Sequence, residues 1–217
     1  MRRDRKGTAM NDRRILMVGL AVAVVLLLGG AFLLTRGGAD SDRFAQCRAS
    51  VVAGGAGALG GPFELTSETG ARVTDAQVFT KPSLLYFGYT FCPDVCPLDS
   101  ARNAEAIDLL AERGIDAQPV FITVDPKRDT PEVVAEFTDN LHEDMLGLTG
   151  TVEEIDAVSK QWKNYYKVND DGSDYYLVDH MTNTYLVLPE HGTVEFFHRD
   201  LTPEDLAQRV ACFVNAS

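Results

Sequence analysis

The run Tyr86-Phe-Gly-Tyr-Thr-Phe-Cys92-Pro-Asp-Val-Cys96-Pro97 joins two patterns that belong to different elements. Leu84 to Tyr89 is a continuous apolar stretch suited to a central strand, and Pro97 fits the first turn of a helix that ends before Gly114. A strand that hands over to a helix within a few residues demands a layered α/β arrangement. This corner carries two cysteines, Cys92 and Cys96, with three residues between them. Two thiols that close on one another can chelate a soft metal ion or join as a disulfide. Val178-Asp179-His180 downstream offers an imidazole for either task. The chemistry to decide is therefore metal carriage against electron transfer.

The surrounding patterns extend the corner into a domain. Val120 to Val124 reads as the next strand. Thr130-Pro131-Glu132 opens a helix with Val133, Val134, Phe137 and Leu141 on one face, and Thr151-Val-Glu-Glu154 is a capping box for another with Ile155, Val158 and Trp162 at helical spacing. Thr184 to Leu188 and Val194 to His198 read as an antiparallel hairpin around Pro189-Glu-His-Gly192, and Thr202-Pro203 opens a last helix. A further hairpin is expected around Phe63 to Val78. This order predicts a thioredoxin-like mixed sheet flanked by helices over residues 62–217, with the dithiol where the first central strand meets its helix.

Upstream lies a different kind of segment. Ile15 to Leu34 contains no charged residue and as a helix would span about 30 Å, the thickness of a bilayer core. It is expected to be an uncleaved, single-pass transmembrane anchor, since no small-x-small cleavage site follows it before Thr35-Arg36. Residues 1–14 are rich in arginine and lysine, which by the positive-inside rule places them in the cytoplasm and the domain in the periplasm or an equivalent space. Residues 35–61, Gly- and Ala-rich, read as a tether with a short helix near Phe44 to Val52. The chain carries a formal net charge of −12 despite this basic flank, so no nucleic-acid partner is expected.

The cysteines divide into two pairs. Cys96 sits at the helix start, where free amide groups and the helix dipole favour a thiolate. Three intervening residues, against the two of dedicated thiol oxidoreductases, leave the loop free to aim both sulfurs at one ion. Two thiolates and an imidazole suit Cu(I), whereas structural zinc would ask for a fourth ligand. Cys47 and Cys212 flank the domain, one on the tether and one in the last helix. In an exported compartment they are expected to form a disulfide, one of three connectivities open to four cysteines, the alternative being two unrelated buried thiols. Met181 is a chemically reasonable extra ligand, though core packing explains it more simply. Asp94 and Asp179 are candidates to support the ligands, though solvated loop carboxylates explain both more simply, and His142, His191 and His198 lie in no matching pattern.

YFGYTFCPDVCP, Val124-Asp-Pro126 with Arg128-Asp-Thr-Pro131, and Val178-Asp-His180 before Tyr185-Leu186, in that order, resemble the Sco/SenC family of membrane-tethered copper proteins. The resemblance implies a thioredoxin-like domain that binds one copper ion, Cu(I) or Cu(II), through Cys92, Cys96 and His180. It also implies a role in assembling the copper-A centre of cytochrome c oxidase, with a copper donor protein and the copper-A-bearing subunit as partners. The rival role is that of a thiol-disulfide oxidoreductase using Cys92 and Cys96 as its redox couple to keep that subunit's cysteines reduced. A peroxidase reading draws on the shared fold alone.

Overall fold

The computed structural model describes residues 17–20, 22, 24–27, 43–48, 59–170 and 172–217. The chain divides into two compact units, Met1–Ala45 and Gln46–Ser217. In the first, Met17 to Leu20, Val22 and Val24 to Leu27 are helical, and their large apolar side chains are exposed. Among the described residues no helix is long and apolar enough to cross a membrane. The basic flank and the remainder of the expected 15–34 span lie outside the described residues. Arg43 to Cys47 form turns where a short helix is expected, and residues 49–58 of that stretch also lie outside the described part.

The second unit is a mixed α/β, thioredoxin-like arrangement. A hairpin of β1 (Glu64–Ser67) and β2 (Arg72–Thr74) leads through a single-turn helix α1 (Asp75–Val78) to β3 (Ser83–Gly88). Then follow α2 (Val95–Ala111), β4 (Gln118–Thr123), α3 (Pro131–Asp139), β5 (Leu146–Thr149), α4 (Val152–Gln161), β6 (Tyr166–Asn169), β7 (Leu177–His180), β8 (Thr184–Leu188), β9 (Gly192–Phe197) and α5 (Pro203–Ala216). Seven strands form one sheet in the order β2-β1-β5-β4-β3-β8-β9, and β6 pairs with β7 in a separate two-stranded sheet. Strands β3, β4 and β5 run parallel; β8 lies antiparallel to β3 on its other side. Every residue of β3 is buried, as a strand flanked on both edges and covered on both faces must be.

The helix starts follow from their sequences. Thr130, Thr151 and Thr202 each accept a hydrogen bond from the backbone amide three residues on, and Glu154 returns the bond to the Thr151 amide. Pro131 and Pro203 occupy first-turn positions where a missing N–H costs nothing. Helix α2 packs against α5 and α3 against β5. The core is built from Leu85, Phe87, Phe121, Ile122, Leu148, Ile155 and Trp162, all almost fully buried.

Two features depart from the sequence-based expectation. Strand β5 has only four residues and is interrupted by Gly147, so it shows no period of its own. That glycine is imposed by space, because a Cβ there would lie 2.3 Å from Val134 Cγ1. The hairpin β6–β7 is half exposed and polar, so its pairing gives no apolar run to read. It is held to the domain by Tyr166, whose hydroxyl donates to Asp156 of α4.

Candidate metal centre

Three ligand atoms converge: Cys92 Sγ, Cys96 Sγ and a ring nitrogen of His180 all lie within 4.8 Å of one another. Two of them come from the corner after β3. The turn from Tyr89 onward, closed by the Cys92 amide on the Tyr89 carbonyl at 3.3 Å, brings Cys92 beneath the first turn of α2. There the backbone N–H of Cys96, one of the amides a helix start leaves without an internal partner, points at Cys92 Sγ at 3.4 Å. Gly88 leaves room for this: a Cβ on it would sit 3.1 Å from Cys96 Sγ and 2.9 Å from the Tyr86 ring. The third ligand is brought from far along the chain by the β6–β7 hairpin, where Tyr166 pairs with His180 at the end of β7.

The imidazole is fixed in one tautomer. His180 Nδ1 lies 2.9 Å from the Met181 carbonyl oxygen. A carbonyl can only accept, so Nδ1 carries the proton and, in the neutral ring, Nε2 presents its lone pair. That lone pair faces Cys96 Sγ at 3.1 Å. Edge-on contacts to Tyr86 and Tyr89, at 6.1 and 5.9 Å between ring centres, hold the ring between them.

The two thiols differ sharply. The Cys96 thiol as hydrogen-bond donor, helped by the amides of Cys96 and Asp94 and against the effect of burial, holds Cys92 down to about 3. Burial pushes Cys96 far up, and the neighbouring Cys92 adds to it. Cys96 is wholly buried and Cys92 is 8% exposed. This corrects the expectation that the helix start would make a thiolate of Cys96. Its amide serves the helix-start role, but the sulfur that receives that amide is Cys92. The pair releases one proton easily and the second with difficulty. The proton it keeps, on Cys96, faces two acceptors, Cys92 Sγ and His180 Nε2. A soft cation in place of that proton would be bonded by all three atoms, so the donor set fits an ion of low coordination number with a preference for sulfur and imidazole. Among the described residues no fourth cysteine, histidine or carboxylate joins the group.

The other sequence candidates are placed elsewhere. Met181 contributes its backbone carbonyl, while its side chain is 37% exposed and so is not core packing. Asp94 is the exposed first residue before α2 and makes no side-chain cap; Asp179 is exposed on β7 opposite Lys167. His142 lies 3.2 Å from Asp108 and His198 3.1 Å from Asn183, away from the cluster. Cys47 and Cys212 are joined by a disulfide with Cα atoms 5.7 Å apart.

Val124-Asp-Pro126 and Arg128-Asp-Thr-Pro131 carry a role that their sequence does not announce. In the fold, Asp129 is completely buried and receives the Thr90 amide at 3.0 Å, the Thr90 hydroxyl at 2.6 Å and the Thr123 hydroxyl. It pins the cysteine-bearing loop to the end of β4. Burial raises its carboxyl above the usual range, against the pull of these hydrogen bonds. Tyr86, raised by burial, stays protonated and donates to Asp99 at 3.0 Å. In sequence Asp129 stands six residues after β4 and just before the Thr130 cap, a position that without the fold reads as a solvated loop residue.

The SCO1/SenC family profile matches residues 52–215. The SenC protein of Rhodobacter capsulatus is 55% identical over 194 residues, which are 89% of this chain and 87% of that protein. A crystal structure of Arabidopsis thaliana ScoI with copper bound is similar at a TM-score of 0.69 and 40% identity, covering 73% of this chain and 99% of that one. Yeast Sco1 with copper bound gives a TM-score of 0.69 at 35% identity, over 74% of this chain and 90% of that one. The motifs that build the corner, the buried acid behind it and the histidine strand all fall inside the matched residues, and the chain belongs to the SCO1/SenC family.

Proposed function

We propose that this protein carries one copper ion on Cys92, Cys96 and His180 and passes it to the copper-A-bearing subunit of cytochrome c oxidase, having received it from a copper donor protein. Residues 15–34 tether it to the membrane in this reading, with the domain on the periplasmic or equivalent face. The observation that carries it is the meeting of two sulfurs and an unprotonated imidazole nitrogen within 4.8 Å, a set matched to copper in its soft oxidation state. Relatives whose solved structures hold copper support it. With Cys96 as the floor of the site and Cys92 and His180 nearer its mouth, a partner's sulfur ligands can approach without opening the core.

A second reading follows from the depressed Cys92 thiol. As a thiolate it can attack a target disulfide, releasing one target thiolate and forming a mixed disulfide. Cys96, once deprotonated, then displaces the second target thiolate, leaving a Cys92–Cys96 disulfide that an external dithiol must reduce. His180→Ala separates the two. Loss of one of three ligands should weaken Cu(I) binding by at least about a hundredfold and impair oxidase assembly, while Cys92–Cys96 oxidation proceeds. Cys92→Ser should abolish both activities. Parent-like copper affinity and assembly in His180→Ala would remove the histidine from the site and put the reductase reading ahead.

A further inference from the structure

The cysteines and the histidine come from two separate pieces of chain, so something must set their spacing before any ion arrives. Arg128, on the loop between β4 and α3, touches both pieces. Its Nε donates to Asp125 Oδ2, and Asp125 is itself buried, accepts the Tyr176 hydroxyl at 2.8 Å and donates its own amide to the Thr123 hydroxyl oxygen at 2.9 Å. On one side, the guanidinium carbon lies 5.7 Å from the Tyr89 ring centre and 4.9 Å from that of Phe91, both on the loop that leads to Cys92. On the other, it lies 3.6 Å from the Tyr176 ring centre, and Nη1 donates to the Asp174 carbonyl at 3.2 Å, both on the loop that leads into β7 and His180.

Tyr89 closes the circuit, since its ring meets the imidazole of His180 edge-on. Arg128 is only 13% exposed in its side chain, and its Nη2 has no hydrogen-bond partner among the described residues. Shape and ring contacts, which only a planar cation supplies, therefore hold much of it.

We propose that Arg128, aimed by Asp125, is the positioning residue that locks the cysteine loop to the histidine hairpin and so presets His180 Nε2 over the two sulfurs. It touches neither the ion nor the sulfurs and acts through His180. The proposal rests on the copper reading above.

The test uses the full chain, reduced, with copper as the probe, and four proteins: the parent, Arg128→Met, His180→Ala and the double variant. Cu(I) affinity is measured by competition with a chromophoric chelator, and the nitrogen coupling in the electron paramagnetic resonance spectrum of the Cu(II) form reports whether the imidazole is bound. Arg128→Met is expected to lose about ten- to a hundredfold in affinity and to weaken the nitrogen coupling. The double variant is expected to bind no worse than His180→Ala alone, because a residue that acts through the histidine has nothing left to position. Arg128→Lys, which keeps the charge but not the planar stack, is expected to fall with Arg128→Met. In the metal-free protein, hydrogen exchange at Val178 to His180 is expected to speed up in Arg128→Met while β3 and β4 stay protected.

Intact affinity and nitrogen coupling in Arg128→Met overturn the proposal, and so do losses that multiply in the double variant. Parent-like binding by His180→Ala instead overturns the copper ligand set itself. Should Arg128→Met not fold, Tyr176→Leu, which removes the ring nearest the guanidinium, carries the same comparison.

Discussion

Cys92 and Cys96 are one amino acid in two opposite situations. The first receives a helix-start amide and a thiol hydrogen bond; the second is wholly buried beside Tyr86 and the bare backbone of Gly88. An acid whose ionisation is favoured in the folded state keeps its charge below its ordinary range and gives it up only as the pH falls through the lowered value, here about 3. Alkylation of Cys92 in the reduced, metal-free protein should thus stay nearly constant from pH 8 down to pH 5, while Cys96 resists labelling. An ordinary thiol, ionising near 8.5, would slow about tenfold for each pH unit over that range. Mass-mapped iodoacetamide rates decide it, and a tenfold fall per unit at Cys92 would refute the assignment. That the two cysteines act together was legible from their spacing. Which of them bears the charge was not, because it depends on where each sulfur points relative to one amide.

At the scale of elements, the strands and helices that came from long or well-capped patterns were legible, and those that rely on a neighbour were not. Thr151 and Glu154 announce α4 locally, whereas β6 and β7 exist because each is the other's partner. Cys47 and Arg48, within the 35–61 stretch, are fixed in a similar non-local way. Cys47 is bonded to Cys212 in α5, and Arg48 Nη1 donates to the Val194 carbonyl of β9 at 2.9 Å. A cross-link across a sequence separation of 165 restricts the unfolded chain strongly. In the chain-entropy description it is worth about 5 kcal/mol, with native disulfides commonly giving about 2–5 kcal/mol. Cys47→Ser/Cys212→Ser should lower the unfolding free energy by an amount in that range and leave copper affinity at the Cys92 site within a few-fold of the parent. Denaturant unfolding and copper titration of the same preparation measure both. An unchanged midpoint would show that the bridge adds no stability.

For the whole molecule, the distribution of charge is the main argument. The first 14 residues carry Arg2, Arg3, Arg5, Lys6, Arg13 and Arg14 against Asp4 and Asp12, while the chain as a whole is at −12. In the membrane-tethered reading proposed above, that asymmetry across the uncharged apolar segment 15–34 would place the basic end in the cytoplasm. A reporter that works only after export, joined after Ser217, should be active, and one that works only in the cytoplasm should be silent at the same junction. The reverse pattern would defeat the exported location and with it a setting in which the Cys47–Cys212 bridge persists.

By itself the sequence determined the strand-to-helix corner, the helix caps, the α/β class of the domain and the residue types that meet at the candidate site. All of these are written in short-range patterns: a run of apolar residues, a proline in a first turn, a threonine three residues before an amide it can satisfy. The tertiary structure alone decided that His180 reaches Cys96, 84 residues away, with its proton on the far nitrogen. It alone placed the charge on Cys92 and gathered Asp125, Asp129 and Arg128 behind the site. Those outcomes depend on distances between residues remote in the chain and on burial, and both come into being only when the sheet closes.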